Sequence, residues 1–160
     1  MYKIKEFAEM IGVTAKTLRN KDKKGLIKPS YISPDSKYRL YTDELAYICD
    51  DSKYVLAYLS KTEDINIVNN FKNALNSLGV KYKLFLSQEL ESNCFGNDAI
   101  KELLKDVSNN NTYTVLYNEQ NILKEDLKMI KFYINACSPY IKVKKIEDFS
   151  LEKSIGLGRI

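Results

Sequence analysis

The sequence predicts an α/β chain in two parts. A small helical unit carrying a β-hairpin comes first, and a four-stranded, mostly parallel sheet with flanking helices follows. Three observations predict this. Short glycine-closed helix patterns and one strong turn, SPDS at 33–36, fill residues 1–48. From residue 54 onward, apolar runs alternate with amphipathic stretches of helical length. The charge is also split: residues 1–48 hold 10 basic and 6 acidic residues, while residues 49–160 hold 15 of each.

In the first part, Ile4, Phe7, Ala8 and Ile11 recur at helical spacing and Gly12 closes the helix. Thr14 suits the N-cap of a second helix from Ala15 to about Lys24, ended by Gly25. Its apolar face is thin (Ala15, Leu18), and Lys16, Thr17, Arg19, Asn20, Lys21 and Lys23 fill the rest. Two short helices joined at Gly12–Val13, the second one basic, form a helix-turn-helix pattern. Residues 26–31 read as extended, SPDS turns the chain, and 38–41 alternate as a returning strand, which gives a wing. Leu18, Leu26, Tyr41 and Leu45 are the expected core, and Lys3 and Lys5 are expected on the surface. A further helix, capped by residues 42–44, runs through Leu45 and Ile48, and residues 49–53 (CDDSK) read as a hinge.

In the second part the predicted strands are 54–59, 80–86, 113–117 and 141–146. The predicted helices are 64–78, about 97–107 and about 123–136. The first has Ile65, Val68, Phe71, Leu75 and Leu78 on one face, and the last has Leu127, Ile130, Phe132 and Ile134 as its apolar residues. Residues 147–160 form a short tail.

Composition excludes several chemistries. The chain has no His, so Ser-His-Asp and Cys-His catalysis and His-ligated metals are absent. Cys49, Cys94 and Cys137 form no CxxC pair, are odd in number and sit among apolar or small neighbours. They read as free, buried thiols of a reducing cytoplasm. No metal site and no cofactor are predicted. MYKIKEFAEM is not a signal peptide and no apolar run approaches membrane-spanning length, so a cytoplasmic, nucleoid-associated protein is expected. Between Lys16 and Lys28 stand six basic residues and one acid, Asp22. That is the footprint of a polyanion site, although a lysine run alone is ordinarily a solvated helix face.

The runs YKIKEFA (2–8), IGVT (11–14), TLR (17–19), DKKGLIKP (22–29) and YRLY (38–41) fall in order and together resemble the MerR-type winged helix over residues 1–48. The resemblance implies double-stranded DNA binding with the second helix in the major groove. Thr14, Lys16, Thr17, Arg19, Asn20, Lys21 and Lys24 would serve that helix, and Lys37, Tyr38 and Arg39 on the wing would hold the flanking backbone. Arg can fork onto a guanine edge or a phosphate, and two of only three Arg in the chain fall here. Where many relatives carry an Arg at the start of the wing, this sequence has Ile32.

The order of winged helix, short linker and βαβ domain resembles the insertion-sequence serine transposases, whose second domain is resolvase-like. VLAYLSKT (55–62) would match that family's first strand end, and VLYNEQNIL (115–123) the strand leading to its second motif. The catalytic residues do not follow. A serine recombinase attacks the phosphodiester through Ser and stabilises charge on phosphorus with Arg. Here the first-motif Arg aligns with Ser60, the nucleophile with Thr62, and the second-motif Arg positions with Gln120 and Leu123. No Arg lies between Arg39 and Arg159, and Lys cannot restore a bidentate clamp. Ser60 and Thr62 then read as part of a helix-capping loop.

The expectation is a non-catalytic, sequence-specific DNA-binding regulator of mobile-element or phage origin. It would oligomerise, as a homodimer or more, through residues 54–160 of an inactive recombinase-like domain. The domains expected are 1–48, a linker at 49–53, the α/β domain at 54–146 and the tail. The alternatives are a divergent active recombinase using Ser60 or Thr62, and an accessory excision factor with a recombinase partner.

Overall fold

A computed structural model describes residues 1–50, 52–60, 64–87, 98–138 and 140–149. Thr62, Cys94, Arg159 and the tail beyond residue 149 lie outside the described residues. Contacts divide the chain into two compact units. One is Met1–Ser52, joined by the described residues from Glu147 on, and the other is Lys53–Ile146.

In the first unit, β1 (Tyr2–Lys3) runs into α1 (Ile4–Ile11), followed by α2 (Ala15–Lys23), β2 (Tyr31–Ile32), β3 (Arg39–Tyr41) and α3 (Asp43–Cys49). Gly12 closes α1 at φ 76°, a conformation that glycine reaches without the Cβ clash. The three strands form an antiparallel sheet in the order β1-β3-β2, with Tyr2 opposite Tyr41 and Ile32 opposite Arg39. Strand β1 is not predicted by the sequence reading. Two residues cannot show an alternation, and their partner lies about 40 positions away.

The core of this unit is small. Phe7, Leu18, Tyr41 and Ala46 are fully buried, and the Phe7 and Tyr41 rings stack at 4.6 Å. Such a pair adds about 0.5–1.5 kcal/mol beyond its buried area. Leu26 is not in the core but 70% exposed. After Gly25 the N–H groups of Leu26 and Ile27 both donate to the Lys21 carbonyl, and that turn throws the Leu26 side chain outward. Leu45 is half-buried.

The second unit holds β4 (Val55–Leu59), α4 (Ile65–Ser77), β5 (Tyr82–Leu86), α5 (Asp98–Ser108), β6 (Thr114–Tyr117), a 3-10 turn (Glu119–Asn121), α6 (Lys124–Cys137) and β7 (Lys142–Lys145). All neighbouring strands are parallel, in the order β5-β4-β6-β7. The first strand therefore lies inside the sheet and the chain winds outward both ways from it, as in doubly wound folds. Every residue of β4 and β6 is buried, which explains why they read as unbroken apolar runs. Leu56, Tyr58, Val115 and Tyr117 face α5 and α6 through Ile100, Leu103, Val107, Ile130 and Ile134.

Three expected buried side chains of this unit are exposed. Burial of the α4 stripe begins only at Phe71: Val68 is half-buried and Ile65, the first helical residue, is 69% exposed. Phe132 is 75% exposed. It stands two residues from both Ile130 and Ile134, and residues two apart on a helix face opposite ways. Cys137, the last residue of α6, is exposed, and Cys49 is half-buried.

Candidate nucleic-acid interface

Helix α2 begins where Thr14 accepts the Thr17 N–H at 3.1 Å, a side-chain cap that supplies one of the helix's unpaired donors. The Thr14 and Thr17 hydroxyls also meet, at 2.9 Å. Leu18 alone turns fully inward. On the opposite side Lys16, Arg19, Asn20 and Lys23 stand exposed, with Lys24 just past the end. Thr17 and Lys21 sit on the flank, half-buried. No acidic side chain stands on the outer face.

The one acid of the run, Asp22, faces the other way. It accepts from Arg39 Nε at 2.9 Å and so ties the last turn of α2 to the first residue of β3, beside the hairpin turn. Bonding through Nε leaves the two terminal guanidinium nitrogens outside this pair. At the hairpin turn the Lys37 N–H donates to the Ser33 carbonyl and the Ser33 N–H donates to the Tyr38 carbonyl, both at 2.9 Å. Lys37 takes φ 57°, a strained conformation for a residue with a Cβ. Lys37 and Tyr38 are exposed, and Lys3 Nζ lies 5.0 Å from the centre of the Tyr38 ring. Tyr41 lies behind this surface with its hydroxyl buried and unpaired among the described residues. Burial pushes that hydroxyl's pKa up and Asp22 adds to the rise, while Arg39 and Arg19 oppose it.

Of the residues named from the sequence, Lys16, Arg19 and Asn20 are exposed on α2 and Lys24 just beyond it, Lys21 is half-buried, Lys37 and Tyr38 are exposed on the hairpin with Arg39 half-buried, and Thr14 and Thr17 serve the helix start. Sequence reasoning gave Lys23 and Asp22 no part in the site. A lone acid in a basic run is the signal for Asp22. Lys3, expected as plain surface, packs on Tyr38.

The positions of the recombinase pattern look different. Ser60 is fully buried: its hydroxyl accepts the Leu123 N–H at 2.6 Å and its N–H donates to the Asn121 carbonyl. It does not cap the next helix, because Asp64 does that by accepting the Asn66 N–H. Ser60 instead fastens the end of β4 to the start of α6. Gln120 is exposed on the 3-10 turn and Leu123 is buried. At the opposite, amino end of the sheet, the Asp106 carboxylate accepts from Lys83 at 2.8 Å, Tyr54 at 3.0 Å and Asn111 at 3.3 Å. Among the described residues, no three His, Cys, Asp or Glu side chains gather as a metal site would, and no helix is long and apolar enough to cross a membrane.

Comparison with known proteins agrees with the first unit. The family model of the MerR family regulatory protein matches residues 3–41. The multidrug-efflux transporter 1 regulator of Bacillus subtilis is 36% identical over 76 residues, which cover 44% of this chain and 27% of that protein. The chain thus spans about a quarter of the length of the curated relative it matches. No solved structure matches the chain. Both similarities concern part of the chain only, and the family-model match is confined to the N-terminal segment that carries α1, α2 and the hairpin.

Proposed function

We propose that this chain is a non-catalytic, sequence-specific DNA-binding regulator that places α2 in the major groove and the β2–β3 hairpin, as a wing, on the adjacent backbone. The observation that carries this is the outer face of α2: four exposed DNA-compatible side chains, Lys16, Arg19, Asn20 and Lys23, with the single acid drawn away to Arg39. Arg19 reads a base edge and Arg39, steadied by Asp22, holds a phosphate through its terminal nitrogens. The MerR-type match over residues 3–41 supports the same reading.

The second unit serves association on this reading. Its 2-1-3-4 strand order suits a resolvase-like scaffold, and the buried, bonded Ser60 fits a fastening role better than a nucleophilic one. A homodimer through residues 54–160 would read a two-fold operator, consistent with a regulator derived from a mobile element or phage, or with an accessory protein of a recombinase. The protein works in the cytoplasm on nucleoid DNA.

Gel-shift titration tests the groove assignment. Arg19→Ala costs about 1–3 kcal/mol of affinity on the preferred sequence, and Arg39→Ala weakens all sequences alike and lowers the salt slope by about one. Unchanged affinity in both variants would remove α2 and the hairpin from the interface. Light scattering of the full chain reads association, and a monomer at the DNA-binding concentration would contradict that part.

A further inference from the structure

The neutral charge of residues 49–160 conceals a division. The compact unit Lys53–Ile146 holds thirteen lysines against ten acidic residues, because acids such as Asp50 and Glu147 fall outside it. Six of those lysines lie between residues 124 and 146, where the only acids are Glu125 and Asp126. Asp126 is buried and accepts from the Tyr58 hydroxyl at 2.7 Å, so it contributes nothing to the surface.

Helix α6 orders this charge. It buries Asp126, Ile130 and Ile134, and its opposite side presents Lys124, Lys128, Lys131 and Asn135, all exposed and at i, i+4, i+7 and i+11. Glu125 lies off this line. Lys124–Lys128 and Lys128–Lys131 are like-charge neighbours, each costing the helix a few tenths of a kcal/mol. A solvated helix face ordinarily avoids that cost by alternating sign, and α5 in the same unit does so: Asp98, Lys101, Glu102 and Lys105 succeed one another, with Lys101 paired to Asp98 at 3.9 Å. Beside the α6 stripe stands Phe132, 75% exposed and the most exposed large apolar side chain among the described residues.

We infer that the outer face of α6 is a second nucleic-acid surface, with Lys124, Lys128 and Lys131 tracking a phosphodiester backbone and Phe132 available to an unstacked base. Charge complementarity selects the partner: three exposed lysines on one side of the helix, with Glu125 off their line and the Lys131 Nζ 5.9 Å from the centre of the Tyr117 ring, suit a row of phosphates. An aromatic ring at the margin of a lysine row is how proteins hold a single strand. The surface is independent of α2, and DNA held by either unit raises the effective concentration at the other.

The test uses the full chain carrying K124Q, K128Q and K131Q together. Its charge-matched control carries K72Q, K101Q and K105Q, three exposed lysines of the same unit. Each is titrated over a range of salt against a mixed-sequence duplex and a mixed-sequence single strand, after circular dichroism confirms the fold. The α6 variant loses affinity, and the slope of log affinity against log salt falls by about 2–3, while the control stays near the parent chain. Loss on the single strand supports the inference; loss on the duplex alone would overturn it, because a paired duplex offers Phe132 no unstacked base. Equal losses in variant and control, or no loss on either probe, would overturn the inference. Arg19→Ala in the same assay reads α2 alone, so failure of one surface is distinguishable from failure of the other.

Discussion

Leu18→Ala is expected to cost the first unit about 3 kcal/mol of stability, within the range for a fully buried leucine truncated to alanine. Leu18 is 0% exposed and is the one buried residue of α2. Apart from the half-buried Ala15 the rest of that helix is charged or polar, so little else on it holds its inner face through apolar burial. The Thr14 cap and the Asp22–Arg39 pair remain in the variant. The cap contributes about 1 kcal/mol and the part-exposed pair less than that. The measurement is denaturant unfolding combined with hydrogen exchange at the α2 amides. Protection there should fall by about a hundredfold, the equivalent of about 3 kcal/mol. A loss below about 1 kcal/mol would mean that α2 is held by its polar contacts, contrary to the packing described above.

Asp106→Ala is expected to cost the second unit about 2–3 kcal/mol, as the loss of charge-assisted hydrogen bonds at a largely buried carboxylate does. Burial pushes the Asp106 carboxyl up, but hydrogen bonds from Lys83, Tyr54 and Asn111, with the Lys83 charge, outweigh it and leave the pKa below the usual aspartate value. A depressed folded pKa gives stability that is present above the unfolded value of about 3.9 and is lost as pH falls through the folded one. The parent chain should therefore lose this contribution only in acid, below about pH 4, and the variant should lack that acid step. The Lys83 side is weaker because that ammonium is about half exposed; its pKa is raised chiefly by the Asp106 hydrogen bond. That contribution is complete below the ordinary lysine value and fades as pH rises past it. Unfolding titrations from neutral to acid pH check the aspartate's sign and titrations into strong base check the lysine's, and an acid step retained by Asp106→Ala would assign it elsewhere.

The fold was legible where a local pattern and the tertiary demand coincide. Strands β4 and β6, buried on both faces, can only be apolar throughout, and the sequence there reads so. Gly12 and Gly25 mark left-handed helix ends that few other residues reach easily, and Thr14 caps as its side chain allows. What could not be read depends on distant partners. Strand β1 exists because Tyr41 and Leu40 lie beside it. Leu26, Ile65 and Phe132 are as apolar as their buried neighbours, and only a turn, a helix end or an angle around the helix sends them outward. In the site, the residues on α2 were legible from charge and helical spacing. The Asp22–Arg39 pair spans 17 positions and belongs to the folded chain. The recombinase-like positions show the reverse: Ser60 looked like the remnant of a motif, yet its hydroxyl is occupied by the Leu123 N–H, 63 residues away.

Amide chemical-shift mapping of the full chain, titrated with a duplex selected by the protein from a random pool, tests the central claim most directly. The largest shifts are expected on the outer face of α2, at Lys16, Arg19, Asn20 and Lys23, and on Lys37, Tyr38 and Arg39 of the hairpin. Saturable DNA binding that leaves those amides unmoved, or no binding by the intact chain, would contradict it.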